Sequence, residues 1–476
     1  MKYTTVIGLE VHAQLKTNSK IFCGCENVFG AKPNTKICPV CLGLPGALPV
    51  LNQKVVEYAV KAGYALSCEI ATISKMDRKN YFYPDLCKAY QISQFDQPIC
   101  EHGHLMIEFE GQEKRLGITR IHIEEDAGKL IHVDGSDYSL VDYNRGGVPL
   151  IEIVSEPDMR TPDEAFAYLT NMKAILEYIE VSDCNMEEGS LRCDANISIM
   201  PEGITKFGTK AEIKNMNSFR GVHKAITYEV ERQKKLIESG VKVLQETRLW
   251  DASQEKTFSM RSKENAHDYR YFPEPDLPTI YLKDEAYLKE IKEGLPELPQ
   301  QRKKRFIQEY QIPSYDAGVL TAQKALANYY EDTVQLLNDP KMVSNWVMTE
   351  LLKELKTNHL DVTESKVSPE EMVNLIQLVK DDVISHQNAK VIFNVMFNEG
   401  KKAKDIIEEK GLQQMSDSSE IEDMLKEIIS ENSKSVDDYK SGNKKARGFF
   451  VGQVMYRTQG KANPKLVNEI ISKLLS

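Results

Sequence analysis

The stretch TTVIGLEVHAQL (residues 4–15) alternates Ile7, Leu9 and Val11 with Gly8, Glu10, His12 and Gln14. Side chains on a strand point alternately to its two faces, so this spacing predicts a β-strand with Glu10 and His12 together on one face. Four further segments read the same way. GSLRCDANISI (residues 189–199) sets Leu191, Cys193, Ala195 and Ile197 against Arg192, Asp194, Asn196 and Ser198. TKAEIKN (residues 209–215) sets Ala211 and Ile213 against Lys210, Glu212 and Lys214. VPLIEIVSEPD (residues 148–158) places Glu152 in an otherwise apolar strand, and GITRIHIEEDAGK (residues 117–129) ends in Glu124, Glu125 and Asp126. A merely solvated sheet face carries scattered Lys, Thr and Glu. Carboxylates, Asn, His and Arg/Lys recurring at same-face spacing are the groups that hold divalent metals and phosphates.

These strands fall in the first of three blocks. Residues 1–293 are rich in short alternating strands with a few helices. Thr161-Pro162-Asp163-Glu164 predicts a capping box with Pro at the first helical position, ahead of Phe166, Leu169, Met172, Leu176 and Ile179 at helical spacing. A second helix is expected from Phe219 to Ser239, ending before Gly240. Leu295-Pro296-Glu297-Leu298-Pro299 breaks the pattern, residues 294–410 read as helical, and a polar break at residues 411–420 opens a last small helical unit, 411–476. With 476 residues, 41% hydrophobic and 28% charged, the chain is long enough for several cores and ordinary in composition. It has no apolar run of signal-peptide or membrane-span type, so a cytoplasmic protein without a membrane partner is expected.

The net charge of −10 argues against nucleic acid, but its distribution does not. From Lys440 to Ser476, eight Lys/Arg stand against one acid, Glu469, a net +7. A basic arm on an acidic body binds nucleic acid where the mean charge would not suggest it. GQVMYRTQGKANPKL reads as helix, turn and an Asn-Pro helix start, which sets Lys461 and Lys465 at or beside a helix N-terminus suited to phosphate. Of the nine cysteines, Cys23 and Cys25 form C-G-C, and Cys38 and Cys41 form C-P-V-C-L-G. Two close pairs across a short loop have the spacing of a tetrahedral four-thiolate zinc site, and four protein ligands leave no open position, so the zinc would be structural. Cys68, Cys87, Cys100, Cys184 and Cys193 are scattered and read as packing residues.

DRKNYFYPDLCKAYQISQFDQP (residues 77–98) and LVDYNRGGVPLIEIVSEPDMR (residues 140–160), with MEEGSLRCDANIS and DYRYFPEPDLP, resemble the B-subunit family of the tRNA-dependent aspartyl/glutamyl amidotransferases. The resemblance runs from Val6 to the C-terminus, where GFFVGQVMYRTQGKANP is similar to the family's closing motif. Cys87 stands where the family usually has Pro, and the four-cysteine cluster occurs in only part of the family. The resemblance implies an ATP-dependent ligase that phosphorylates the side-chain carboxylate of mischarged Glu-tRNA(Gln) or Asp-tRNA(Asn). It also implies ammonia from an amidase (glutaminase) partner, the A-subunit, with a small C-subunit making up a heterotrimer. The fold implied is α+β, an antiparallel cradle like that of glutamine synthetase and the guanidino kinases, followed by an all-α domain and a small helical tail domain. Carried over by motif, Glu10, His12, Glu125 and Glu152 are expected to hold Mg²⁺, and Arg192, Asp194 and Lys210 to meet ATP. Lys444, Lys445, Arg447, Lys461 and Lys465 are expected to meet tRNA. Consistently, the chain has no G-x-x-x-x-G-K-[ST] loop and no amidase or glutaminase nucleophile motif.

Plainer readings stand beside these. His12 alone is more often a satisfied sheet histidine, and Arg192 and Asp194 would pair with each other as structural ions. Alternation groups Glu125 with Ile121 and Ile123, and Glu124 with Arg120 and His122. It does not say which face lines the cradle, so Glu125 rests on the resemblance. Tyr81, Tyr83 and Tyr90 suit either core packing or stacking on a base. A stand-alone carboxylate–amine ligase shares the metal cradle but has no use for the basic tail. A non-enzymatic tRNA-binding assembly protein has no use for the carboxylates.

Overall fold

The computed structural model describes residues 2–133, 135–262, 268–413, 418–441, 444–458 and 461–475. It is a mixed α+β structure with two compact units, Met1–Pro299 and Gln300–Ser476.

The first unit is built on a nine-stranded sheet. In chain order its strands are β1 (Tyr3–Gln14), β2 (Glu69–Ile70), β3 (Cys100–Phe109), β4 (Gln112–Glu125), β5 (Pro149–Ser155), β6 (Leu191–Pro201), β7 (Ala211–Met216), β8 (Glu246–Asp251) and β9 (Lys256–Ser262). They lie in the order β9-β8-β7-β6-β1-β5-β4-β3-β2, antiparallel except for the β7–β8 pair. The five polar-faced segments of the sequence are therefore β7, β6, β1, β5 and β4, adjacent in space. Ile7, Leu9 and Val11 of β1 join one buried cluster with residues of three helices, α1 (Gln53–Ala65), α2 (Pro162–Tyr178) and α3 (Phe219–Glu238). The helices cover the apolar face and leave the other face of the central strands to the polar residues.

Local chemistry sets the helix ends. Thr161 accepts from the Glu164 amide at 3.1 Å as the N-cap of α2. The expected reciprocal bond is displaced by one residue, because Glu164 Oε2 accepts from the Arg160 amide at 2.7 Å. Leu169, Met172, Leu176 and Ile179 are buried as expected, but Phe166 is partly exposed and meets Phe219 edge-on, centroids 6.3 Å apart. Helix α3 ends at Glu238, with Ser239 as its cap.

The second unit is helical. One buried cluster runs from Phe306 to Ile407 and another from Ile421 to Leu475. Gly411, at φ +57°, caps the helix Ala403–Lys410, and helix resumes at Ser418. Near the C-terminus, Asn463 accepts from the Lys465 amide at 2.9 Å and starts the helix Pro464–Leu475. Among the described residues no helix is long and apolar enough to cross a membrane.

Candidate active site

The antiparallel register places His12 opposite both Arg192 of β6 and Glu152 of β5, and Glu152 opposite His122 of β4. These four side chains form one row across the polar face. His12 Nε2 lies 3.2 Å from Glu152 Oε2 and 3.7 Å from Glu124 Oε1. His122 Nε2 lies 3.3 Å from the same Glu152 oxygen and 3.7 Å from Glu124 Oε2. The Ser93 hydroxyl donates to Glu124 at 3.2 Å. Two carboxylates thus stand between two imidazoles, nearly closed to water.

Burial opposes the charge on all four. It is outweighed at His122 by Glu152 and Glu124, which carry the imidazole up to about 9. Glu152 and Glu124 raise His12 in the same way. Burial likewise opposes the Glu152 anion, but His122 and His12 hold it well below the usual carboxylate range. Glu124 is lowered too, against its burial, by His122 and Lys79. Lys79 is held between the rings of Tyr81 and Tyr269, 6.0 and 5.1 Å from their centroids. One ligand atom each from His12, Glu124 and Glu152 lies within 4.8 Å of the others. One imidazole and two ionised carboxylates are a donor set that fits a divalent cation, whose charge would replace that of the imidazolium protons.

Glu10 belongs to a second group on the same face. It lies with Asp194 and Glu212, one oxygen of each within 4.8 Å. Asn196 donates to Glu10 at 2.8 Å, and Lys214 pairs with Asp194 and, at 3.1 Å, with Glu212. Burial and then Glu152 push the Glu10 pKa upward. Arg192 and Asp194 do not pair with each other: Arg192 Nη2 reaches Asp126 Oδ2 at 2.9 Å. Lys210 is outside both carboxylate groups but lines, with Glu10, Gly8 and Phe207, one cavity on this face.

Glu125 is placed away from His12 and Glu152. Alternation sends it, with Ile121 and Ile123, to the helix-covered side of β4. There Lys88 Nζ lies 2.7 Å from Glu125 Oε2, and the Ile92 amide donates to Oε1 at 2.8 Å. Its neighbour Glu124 is the carboxylate that meets His12. Motif resemblance points to Glu125, whereas the register of Glu152 opposite His122 brings the even-numbered residues of β4 to the polar row. His122 and Lys79 were also missed as site residues. His122 shares a face with Glu124 two residues on, a signal present in the sequence. Lys79 arrives from a separate small sheet, which alternation in the main strands does not reach.

The ligand atoms of Cys23, Cys25, Cys38 and Cys41 all lie within 4.8 Å of one another, a cluster able to hold a structural metal. The Cys38 amide donates to Cys41 Sγ at 3.0 Å. A bond from Cys23 brings the Cys41 thiol down to about 5, while Cys23 itself is raised. Cys68, Cys100, Cys184 and Cys193 are buried packing residues. Cys87 is not one of them: it is exposed, and its Sγ lies 3.1 Å from the Cys41 carbonyl oxygen. Tyr90 packs under Arg78, 4.2 Å from its ring centroid, Tyr81 meets Tyr269 edge-on, and Tyr83 is exposed. In the tail, Arg447 donates to the Asn468 carbonyl at 3.2 Å and lines a surface cavity with Lys465. Lys461 precedes the last helix, and the side chains of Lys444 and Lys445 lie outside the described ones.

Residues 5–288 match the family model described as the GatB/GatE catalytic domain, and residues 328–475 match that of the GatB domain. The chain is 57% identical over 476 residues, all of both chains, to the aspartyl/glutamyl-tRNA(Asn/Gln) amidotransferase B-subunit of Thermoanaerobacter sp. (strain X514). Proteins of the same name from Thermodesulfovibrio yellowstonii and Brevibacillus brevis are 56% and 55% identical, each match covering all of this chain and at least 99% of the relative. That name places these relatives in multi-subunit enzymes.

The Lys88–Glu125 pair gives a test of its own, since side-chain exposures are 9% and 4%. Lys88→Met strands a buried carboxylate and is expected to destabilise the unit by about 3–5 kcal/mol. The double variant Lys88→Met/Glu125→Leu should recover much of that loss. Thermal unfolding of the single and double variants checks the difference.

Proposed function

The chain belongs to the B-subunit family of aspartyl/glutamyl-tRNA(Asn/Gln) amidotransferases, and we propose that it carries out the carboxylate-activating half of that reaction. The observation that carries the reading is the trio His12, Glu124 and Glu152 on the polar face of the sheet. A carboxylate is a poor electrophile towards ammonia. Phosphorylation of the Glu or Asp side chain on a mischarged tRNA(Gln) or tRNA(Asn) joins a phosphoryl group from ATP to one carboxylate oxygen and releases ADP. Ammonia then attacks the acyl carbon, and inorganic phosphate leaves. His12, Glu124 and Glu152 would hold Mg²⁺, which neutralises charge on the transferring phosphoryl group. Lys79, half-buried and attracted by the Glu124 charge, adds a positive charge on that side of the site. The cradle's likeness to glutamine synthetase and the guanidino kinases belongs to this proposal, since those enzymes also run phosphoryl chemistry on an open antiparallel sheet.

The remaining roles divide along the chain. Residues 1–293 form the cradle domain, in which Cys23, Cys25, Cys38 and Cys41 hold a structural Zn²⁺. Residues 294–410 form a helical domain, and 411–476 a tail whose cations bind tRNA phosphates. An amidase A-subunit supplies ammonia, the heterotrimer is made up by a small C-subunit, and the reaction runs in the cytoplasm. Similarity along the whole length, tail included, favours this reading over a stand-alone ligase.

ATP hydrolysis by the assembled complex should depend on mischarged tRNA. Glu124→Gln and Glu152→Gln should each lower it by orders of magnitude while glutaminase activity persists. Near-normal hydrolysis in both variants would remove the assigned site.

Purified protein should contain about one zinc per chain, and Cys38→Ser should lower both zinc content and melting temperature without abolishing amidation. Anaerobically purified protein free of zinc would contradict the structural role.

Removal of residues 411–476 should raise the KM for tRNA sharply and make tRNA binding less dependent on salt, because fewer phosphate contacts release fewer counterions. Unchanged tRNA binding by the truncated complex would exclude the tail as the tRNA arm.

A further inference from the structure

Lys20 is closed off from water, with 0% of its surface exposed. Lysine is almost never buried to that degree unless an anion accompanies it. Among the described residues no carboxylate pairs with Lys20. Its ammonium donates to the Gly146 carbonyl at 2.7 Å and to the Tyr143 carbonyl at 3.4 Å. Two carbonyl dipoles engage two of the three N–H groups and leave the charge itself without a counter-ion. Nor does the stem carry the head out to solvent, as it does in most partly buried lysines.

The neighbour of Lys20 is the cysteine cluster. Its backbone amide donates to the Cys25 carbonyl at 2.9 Å, and an isolated bridge pairs Ser19 with Glu26 beside it. On the other side stands Gly147, at φ +79°, where an added Cβ would lie 3.7 Å from both Cys41 Cβ and Lys20 Cδ. The side chains of Cys41 and Lys20 thus flank one point of space. The Cys41 thiolate is favoured first by Cys23, against burial, and then by the Cys38 amide and the charge of Lys20. Lys20 is therefore fastened to the first cysteine pair by its backbone and lies beside the second through its side chain.

A divalent metal held by four thiolates keeps an excess of two negative charges. That excess is the anion Lys20 otherwise lacks. We propose that Lys20 is the buried counter-charge of the cysteine cluster and holds the metal there by offsetting the excess charge of its thiolates. The proposal rests on the reading of Cys23, Cys25, Cys38 and Cys41 as a zinc site. Lys20 is a positioning residue, since it meets no reacting group. The carbonyls that hold its ammonium belong to the turn that leads into β5, so the same side chain ties the cluster to the strand of Glu152.

The test measures zinc affinity of the assembled complex by competition with a chelator of known strength. Lys20→Met, which keeps an apolar stem, should weaken zinc binding about 10- to 100-fold, the usual effect of losing a group behind a metal ligand. Lys20→Gln keeps an N–H donor for the carbonyls but no charge, and should lose as much. Zinc affinity of Lys20→Gln within about twofold of the wild type would assign a hydrogen-bonding role and overturn the proposal. Cys38→His halves the excess charge of the loaded cluster, so in that background Lys20→Met should have about half its effect on a logarithmic scale. An equal effect in both backgrounds would mark packing rather than charge and would also overturn it. If Lys20→Met fails to fold, Lys20→Gln carries the same expectations in both backgrounds. A wild type that binds no zinc removes the zinc reading itself, and the counter-charge with it. A wild type that binds zinc no better than its Lys20 variants overturns the counter-charge alone.

Discussion

Glu124 and Glu152 are nearly dry, and two neighbouring carboxylates in that condition need positive charge between them. His12 and His122 supply it from the two flanking strands. Much of the first unit follows from that requirement. The strands must be adjacent and in register, so that His12, His122, Glu152 and Arg192, scattered along the first two hundred residues, meet in one row. The opposite face must be apolar and covered, which α1, α2 and α3 accomplish. Because the compensating charges are histidines, a divalent cation can displace protons instead of forcing a backbone rearrangement. A site of this kind is held ready by the sheet rather than assembled when ligands arrive.

The alternation of β1, β6 and β7 was legible because a strand's period is fixed by geometry, and each of these strands is half polar, whereas β5 was legible as an apolar strand carrying one carboxylate, Glu152. The α+β class, the helices starting at Pro162 and Phe219, and the start of the last helix at Pro464 were legible for similar local reasons. What the sequence left open depended on partners. In β4 the two consecutive glutamates are chemically equal, and only pairing with β5 says which one faces His12. Asp194 took Lys214 as its partner and left Arg192 to Asp126, because bonding between strands depends on register that no single strand encodes. Lys79 could not be placed at all from its own strand, a segment of four residues.

The cysteine cluster illustrates a different kind of legibility. Spacing alone brought the four thiols together correctly, since a short loop has few ways to close on a tetrahedral centre. Spacing could not show what the loop touches. Gly43, at φ +64°, stands where a Cβ would lie 2.3 Å from Lys88 Cγ. The loop therefore packs directly on the lysine that pairs with Glu125. The cysteine loop and that buried ion pair are packed against each other.

Glu124 and Glu125 are consecutive, yet one faces the polar row and the other a chamber of about 180 Å³ lined by Phe22, Cys41 and Lys88. Strand β4 is thus a partition one residue thick, with a charged group fixed on each side. A single-residue insertion between Ile118 and Glu125 would turn every following side chain to the opposite face and set Ile123 in the place of Glu124, removing one carboxylate from the polar row. Changes in length belong to the tight turn at Glu110 and Gly111, where an extra residue alters neither parity nor pairing farther along.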